Sequence, residues 1–142
     1  MAHEQSFLEL IEAWDGSGVV VKHDELTGSW IFIALHDDTL GPMVGGCRMK
    51  TYARPEDGLR DAMRLARGMT HKWAALDLPC GGGKSVLAIP GPLSGADRRG
   101  LLHRFGELLN TLDGAYGTGE DLGTTPEDMR VVADVSKHVV GI

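Results

Sequence analysis

Asp77-Leu-Pro-Cys-Gly-Gly-Gly-Lys-Ser85 runs three consecutive glycines straight into a lysine, and Val86-Leu-Ala-Ile89 follows, closed by Pro90 and Gly91. The apolar run reads as a short buried strand and the glycines before it as a loop. Glycine takes backbone angles that other residues resist, and it lets a small molecule lie against bare main chain. The loop is therefore expected to floor a pocket, with the Lys84 ammonium at its end. Two other glycine patterns do not fit. A phosphate loop needs glycine where Leu78 stands, and it opens a helix rather than a strand. The dinucleotide spacing G-x-G-x-x-G needs glycine at Val86, or at Leu122 for the pair Gly117 and Gly119.

Upstream of this stretch, Pro55 suits the first turn of a helix, with Glu56 and Asp57 at its positive end. Leu59, Ala62, Met63, Ala66, Met69 and Trp73 recur at helical spacing and predict a buried stripe. That helix delivers Met69-Thr-His-Lys72 towards the glycines. Arg60, Arg64 and Arg67 share its other side, but Glu56, Asp57 and Asp61 stand beside them, so the stripe reads as a solvated face. Further back, Val19–His23 and Trp30–Leu35 flank the turn Asp24–Gly28 and read as a hairpin. Met43–Lys50 is a third extended piece with Gly45-Gly46 inside it, where something can approach the backbone. Residues 5–14 put Phe7, Leu10, Ile11 and Trp14 on one helical face, stopped by Gly16.

Downstream, a helix is expected from Ser94, spaced to Asp97 as in a capping box, burying Leu101, Phe105, Leu108 and Leu112. Asp113-Gly114 turns into a short strand, Ala115–Thr118, and the loop Gly119–Gly123 follows. Thr125, Pro126 and Asp128 read as a cap, a first-turn proline and a capping-box acid. Their helix buries Met129, Val132 and Val135. The order predicts an α/β fold, a mixed sheet of about five strands flanked by helices, with ligands at strand-end loops.

At 142 residues the chain is expected to form one domain with a proper core. A net charge of -6 argues against nucleic acid as a partner. No apolar run reaches membrane-spanning length and no signal peptide is evident, so a cytoplasmic setting is expected. The two cysteines, Cys47 and Cys80, and the six histidines fall in no metal-ligand spacing, and no metal site is expected. A Cys47–Cys80 disulfide is left open.

Four stretches together resemble one family: Gly41-Pro-Met-Val-Gly-Gly-Cys-Arg-Met49, Met69-Thr-His-Lys72, Gly81-Gly-Gly-Lys84 and Gly119-Glu-Asp-Leu-Gly-Thr124. In this order and spacing they are similar to the N-terminal domain of the glutamate, leucine, phenylalanine and valine dehydrogenases, nearest to the leucine and phenylalanine branch. The resemblance runs from about residue 20 onward. It implies oxidative deamination of an L-amino acid to a 2-oxo acid and ammonia, with NAD or NADP as hydride acceptor. Lys72 matches the lysine that binds the substrate carboxylate, Lys84 the catalytic lysine, and Asp121 the acid that moves a proton at the substrate nitrogen. Gly45 and Gly46 would line the substrate's backbone side, and Val44, Met69 and Gly119 its side chain. Gly119 would leave room for a bulky, branched or aromatic group. Cys47 and His71 depart from the residues often found at those positions, without touching the proposed chemistry.

The resemblance also implies a second, Rossmann-like domain that binds the nucleotide. It is expected to be missing from this chain, which stops near where that domain should begin. The isolated chain is then expected to bind substrate without turning it over. The same family domain mediates subunit contacts, so a homo-oligomer, a dimer or larger, is expected. An assembly module without catalysis is the alternative.

Overall fold

Nine elements follow one another in residues 5–141, which are the residues described by the computed structural model. They are α1 (Phe7–Trp14), β1 (Gly18–Asp24), β2 (Ser29–Asp37), β3 (Met43–Lys50), α2 (Pro55–Ala75), β4 (Gly81–Ala88), α3 (Gly95–Thr111), β5 (Tyr116–Glu120) and α4 (Pro126–Ala133). The strands form one mixed sheet in the order β1-β2-β4-β3-β5. β1 and β2 make the expected hairpin, and β2 pairs antiparallel with β4. β3 pairs parallel with both β4 and β5, so α2 and α3 are the crossovers that parallel neighbours require. The expected fold class holds.

The glycine stretch is not a loop. Gly81, Gly82 and Gly83 open β4, the middle strand of the sheet, and all eight of its residues are buried. Close packing is the reason. On one face, a Cβ at Gly82 would lie 2.3 Å from the Thr70 amide nitrogen and 2.4 Å from the Ala66 carbonyl of α2. On the other, a Cβ at Gly83 would lie 2.6 Å from the Tyr116 ring. Bare backbone lets both neighbours close on the strand. That use of glycine overrides its usual role in breaking strands.

Helices cover both faces. Trp14, Leu59, Met63 and Ala66 of α1 and α2 pack on Phe32, Ala34, Val86 and Ala88. Leu101, Phe105 and Leu109 of α3, with Met129 and Val132 of α4, pack on Ile31, Ile33, Cys47 and Leu87 opposite. The α2 stripe is buried from Leu59 to Ala66 but only half-buried at Met69 and Trp73. There the side chains border a cavity instead of the core.

Several local expectations need correction. α1 ends on Asp15 in the left-handed region (φ 61°), one residue before Gly16, and its Phe7 is half exposed. Ser94 does precede α3, but its hydroxyl makes no capping bond, so no box forms there. The buried face of α3 includes Leu102 and Leu109, while Leu108 and Leu112 are only partly buried. β5 runs on through Gly119 and Glu120. Val135 lies past the end of α4. The Thr125–Asp128 box forms as expected, with Pro126 in the first turn.

Candidate active site

Residues alternate faces along a strand, so Lys84 points to the same side as Gly82, Val86 and Ala88, the side that α2 covers. Lys84 is only 4% exposed. A buried ammonium needs an anion, and Asp121 supplies it: Lys84 Nζ lies 3.0 Å from Asp121 Oδ1. The second Asp121 oxygen accepts a hydrogen bond from Arg48 Nε at 2.8 Å. Burial pushes the Asp121 carboxyl up, but the hydrogen bonds from Arg48 and Lys84 outweigh it and hold the carboxyl below the usual aspartate value.

Asp121 stands just past β5, where its backbone N–H donates to the Thr124 hydroxyl at 2.9 Å. The Thr124 hydroxyl also lies 2.8 Å from the Cys47 carbonyl, and Met49 N–H donates to the Leu122 carbonyl at 3.0 Å. Gly123 (φ 83°) fits against the Met49 carbonyl where a Cβ would collide. The turn after β5 is thus clamped to β3, beside Gly46. A Cβ on Gly46 would lie 2.8 Å from the Asp121 Cβ.

α2 supplies the remaining wall. Trp73 donates its indole N–H to the Val44 carbonyl at 2.9 Å, which ties the last turns of the helix to β3. Lys72 is exposed, with its ammonium 5.5 Å from the centre of the Trp73 ring. Behind the glycines, the Tyr116 hydroxyl donates to the Gly45 carbonyl at 2.6 Å and lies 2.9 Å from the Ser85 hydroxyl. Burial pushes the Tyr116 phenol up, so it stays a neutral donor. Burial also pushes the Cys47 thiol up to about 12, which leaves it inert.

All eight residues expected at the site line one cavity of ≈ 230 Å³: Val44, Gly45, Gly46, Met69, Lys72, Lys84, Gly119 and Asp121. Trp73, Glu120 and Val140 complete the lining. Val44, Gly45, Gly46 and Lys84 lie within strands, Gly119 and Glu120 end β5, Met69, Lys72 and Trp73 belong to α2, and Asp121 and Val140 come from the segments after β5 and α4. Val140 was not legible in the sequence as a site residue. It arrives because Thr118 and Val139 pair as a short parallel bridge along β5. Arg48 could have been found, since it follows Gly46 at the two-residue spacing that shares a strand face. No group of three or more metal-binding side chains occurs among the described residues. Cys47 and Cys80 are both free, so the disulfide left open does not form.

Comparisons with known proteins follow the same lines. The profile of the Glu/Leu/Phe/Val dehydrogenase, dimerisation domain, matches residues 19–138. Leucine dehydrogenase of Bacillus subtilis is 45% identical over 132 residues, covering 93% of this chain and 36% of that protein. Phenylalanine dehydrogenase of Caldalkalibacillus thermarum is 41% identical, covering 87% of this chain and 33% of that protein. The crystal structure of L-tryptophan dehydrogenase from Nostoc punctiforme superposes with a TM-score of 0.84 at 34% identity, covering 94% of this chain and 38% of that one. The chain thus spans between 33% and 38% of the length of these relatives.

Proposed function

The chain belongs to the Glu/Leu/Phe/Val dehydrogenase family, and we propose that it is the substrate-binding and catalytic half of an NAD(P)-dependent L-amino-acid dehydrogenase. The reaction interconverts an L-amino acid with its 2-oxo acid and ammonia. One observation carries this reading: Lys72, Lys84 and Asp121, far apart in sequence, share a single glycine-walled cavity.

An amino acid brings a carboxylate, an amino group and a side chain, and the cavity has a partner for each. Lys72, at the exposed rim, offers a compact positive charge for the carboxylate. Asp121, held as an anion at neutral pH, suits a substrate ammonium and can take and return its proton. Lys84, buried beside Asp121, is placed to hold the water that adds to the imine carbon. In the reverse direction it polarises the carbonyl of the 2-oxo acid. Gly45 and Gly46 give the substrate's main chain a wall without side chains. Val44, Met69 and Gly119, with Val140, make the surface for the substrate side chain. That surface suits a branched-chain or aromatic group, in line with the leucine, phenylalanine and tryptophan in the names of the relatives.

The nicotinamide of NAD or NADP, when bound, accepts the hydride from the substrate's α-carbon. A cavity of ≈ 230 Å³ has room for an amino acid. We assign the nucleotide to the part of the relatives' length that this chain does not span, and a cytoplasmic setting is part of the same proposal. Calorimetry tests the reading: the chain binds L-leucine, and Lys72→Ala weakens that binding about tenfold or more, the worth of one charged hydrogen bond. An unchanged Kd in the variant rules out the carboxylate contact.

The matched domain is described as a dimerisation domain, which favours a second reading, an assembly module without catalysis. A chain that self-associates but binds no amino acid would fit that reading alone.

A further inference from the structure

Asp121 is held in two separate ways. Thr124, Gly123 and the Met49–Leu122 backbone bond fix where its main chain stands. None of them fixes which way its carboxylate turns. That is set by two cations, Lys84 on Oδ1 at 3.0 Å and Arg48 on Oδ2 at 2.8 Å, with the Leu122 backbone N–H as a further donor to the carboxylate. Arg48 stands behind Asp121, outside the cavity lining. It is itself anchored, since its Nη1 lies 3.3 Å from Asp61 Oδ2 on α2. The same Asp61 oxygen accepts the Tyr52 hydroxyl at 2.5 Å, and Arg64 Nη2 donates to the other oxygen at 2.7 Å. Arg48 and Asp61 side chains are 18% and 14% exposed, sheltered enough for these contacts to persist. The charges alternate without a gap: Lys84, Asp121, Arg48, Asp61, Arg64.

We infer that Arg48 is a positioning residue: anchored by Asp61 and Tyr52, it commits one Asp121 oxygen to itself and so turns the other towards Lys84 and the cavity. The inference rests on the proposed function only for what Asp121 then does. A proton leaving the substrate ammonium is then taken up at Oδ1, the oxygen turned towards Lys84 and the cavity, and it returns from the same oxygen. Fixed orientation is what makes such a transfer efficient.

The other charged or titratable groups around Asp121 are few. Lys72 and Glu120 share its cavity. Cys47 lies on the opposite face and is kept neutral by burial, and Asp128 is paired with Arg98 at 2.7 Å. Removing Arg48 therefore leaves Lys84 as the one cation in direct contact with the Asp121 carboxylate among the described residues.

The test is a carbon-13 NMR titration of the Asp121 carboxyl in the whole chain, assigned with Asp121→Asn. Its folded midpoint lies below the ordinary aspartate value, so loss of Arg48 must move it up. Arg48→Gln is expected to raise the midpoint, and Arg48→Lys, which keeps the charge but loses the fork, to fall between the two. If Arg48→Gln does not fold, Arg48→Lys carries the test alone. A wild-type midpoint in every folded variant overturns the inference, since the backbone clamp would then suffice. Adding L-leucine separates the two claims. A midpoint that responds to Arg48 in a chain that binds no amino acid upholds the positioning role and rejects the proposed function. Leucine binding with an unresponsive midpoint does the reverse.

Discussion

Glycines near the cavity differ sharply in how much room they leave, and this sets expectations residue by residue. A Cβ on Gly119 would meet Val140 Cγ2 at 3.5 Å, an ordinary contact, so alanine fits there without moving the fold. Gly119→Ala should leave the melting temperature unchanged while trimming the space for the substrate side chain. We expect the affinity for L-phenylalanine to drop about tenfold relative to L-valine, the usual worth of a methyl group in an apolar pocket. An unchanged ratio would place the side-chain surface elsewhere. Most of the site at this scale was legible in the sequence, because Lys72, Lys84 and Asp121 stand in motifs whose order is itself informative. Arg48 has no acidic neighbour in the sequence from Thr39 to Pro55, so its ion pairs leave no local signal. Only the fold reveals that its acidic partners, Asp61 and Asp121, come from opposite sides of it. Arg64 and Arg67 on α2 are exposed, as the solvated face predicts, whereas Asp61 beside them is only 14% exposed.

Elements were legible in kind and order but not always in extent. Amphipathic spacing identifies α2, and apolar runs identify β1 and β2, because each buries one side against a neighbour. The misreading at β4 has a single cause: glycine spacing carries no trace of what lies above and below it. Paired substitutions test that explanation. Gly82→Ala forces a methyl group into the α2 backbone and should destabilise the chain by about 1–3 kcal/mol or more, the cost of overpacking. Gly68, on the exposed side of α2, has open space where a methyl group would stand. Gly68→Ala should therefore stabilise by about 0.5–1 kcal/mol through helix propensity. Denaturant midpoints read both, and a tolerated Gly82→Ala would contradict the close approach of α2 to β4.

At the scale of the whole molecule, Gly45 and Gly46 of β3, Lys84 of β4 and Gly119 of β5 border a hollow, while α2 and the residues after α4 close its sides. We propose this hollow as the amino-acid site, and no described helix is long and apolar enough to cross a membrane. Assembly is the property least visible from one chain. Membership of a family whose matched domain is described by dimerisation leads us to expect a dimer or larger in light scattering, and a monomer at high concentration would remove the assembly reading. The central claim, that this hollow receives an L-amino acid, is tested most directly by amide NMR mapping of the chain titrated with L-leucine. The account predicts saturable shifts concentrated at Gly45, Gly46, Lys84 and Gly119. No saturable change, or changes confined to the apolar groove around Phe7, Val21 and Trp30, would contradict it.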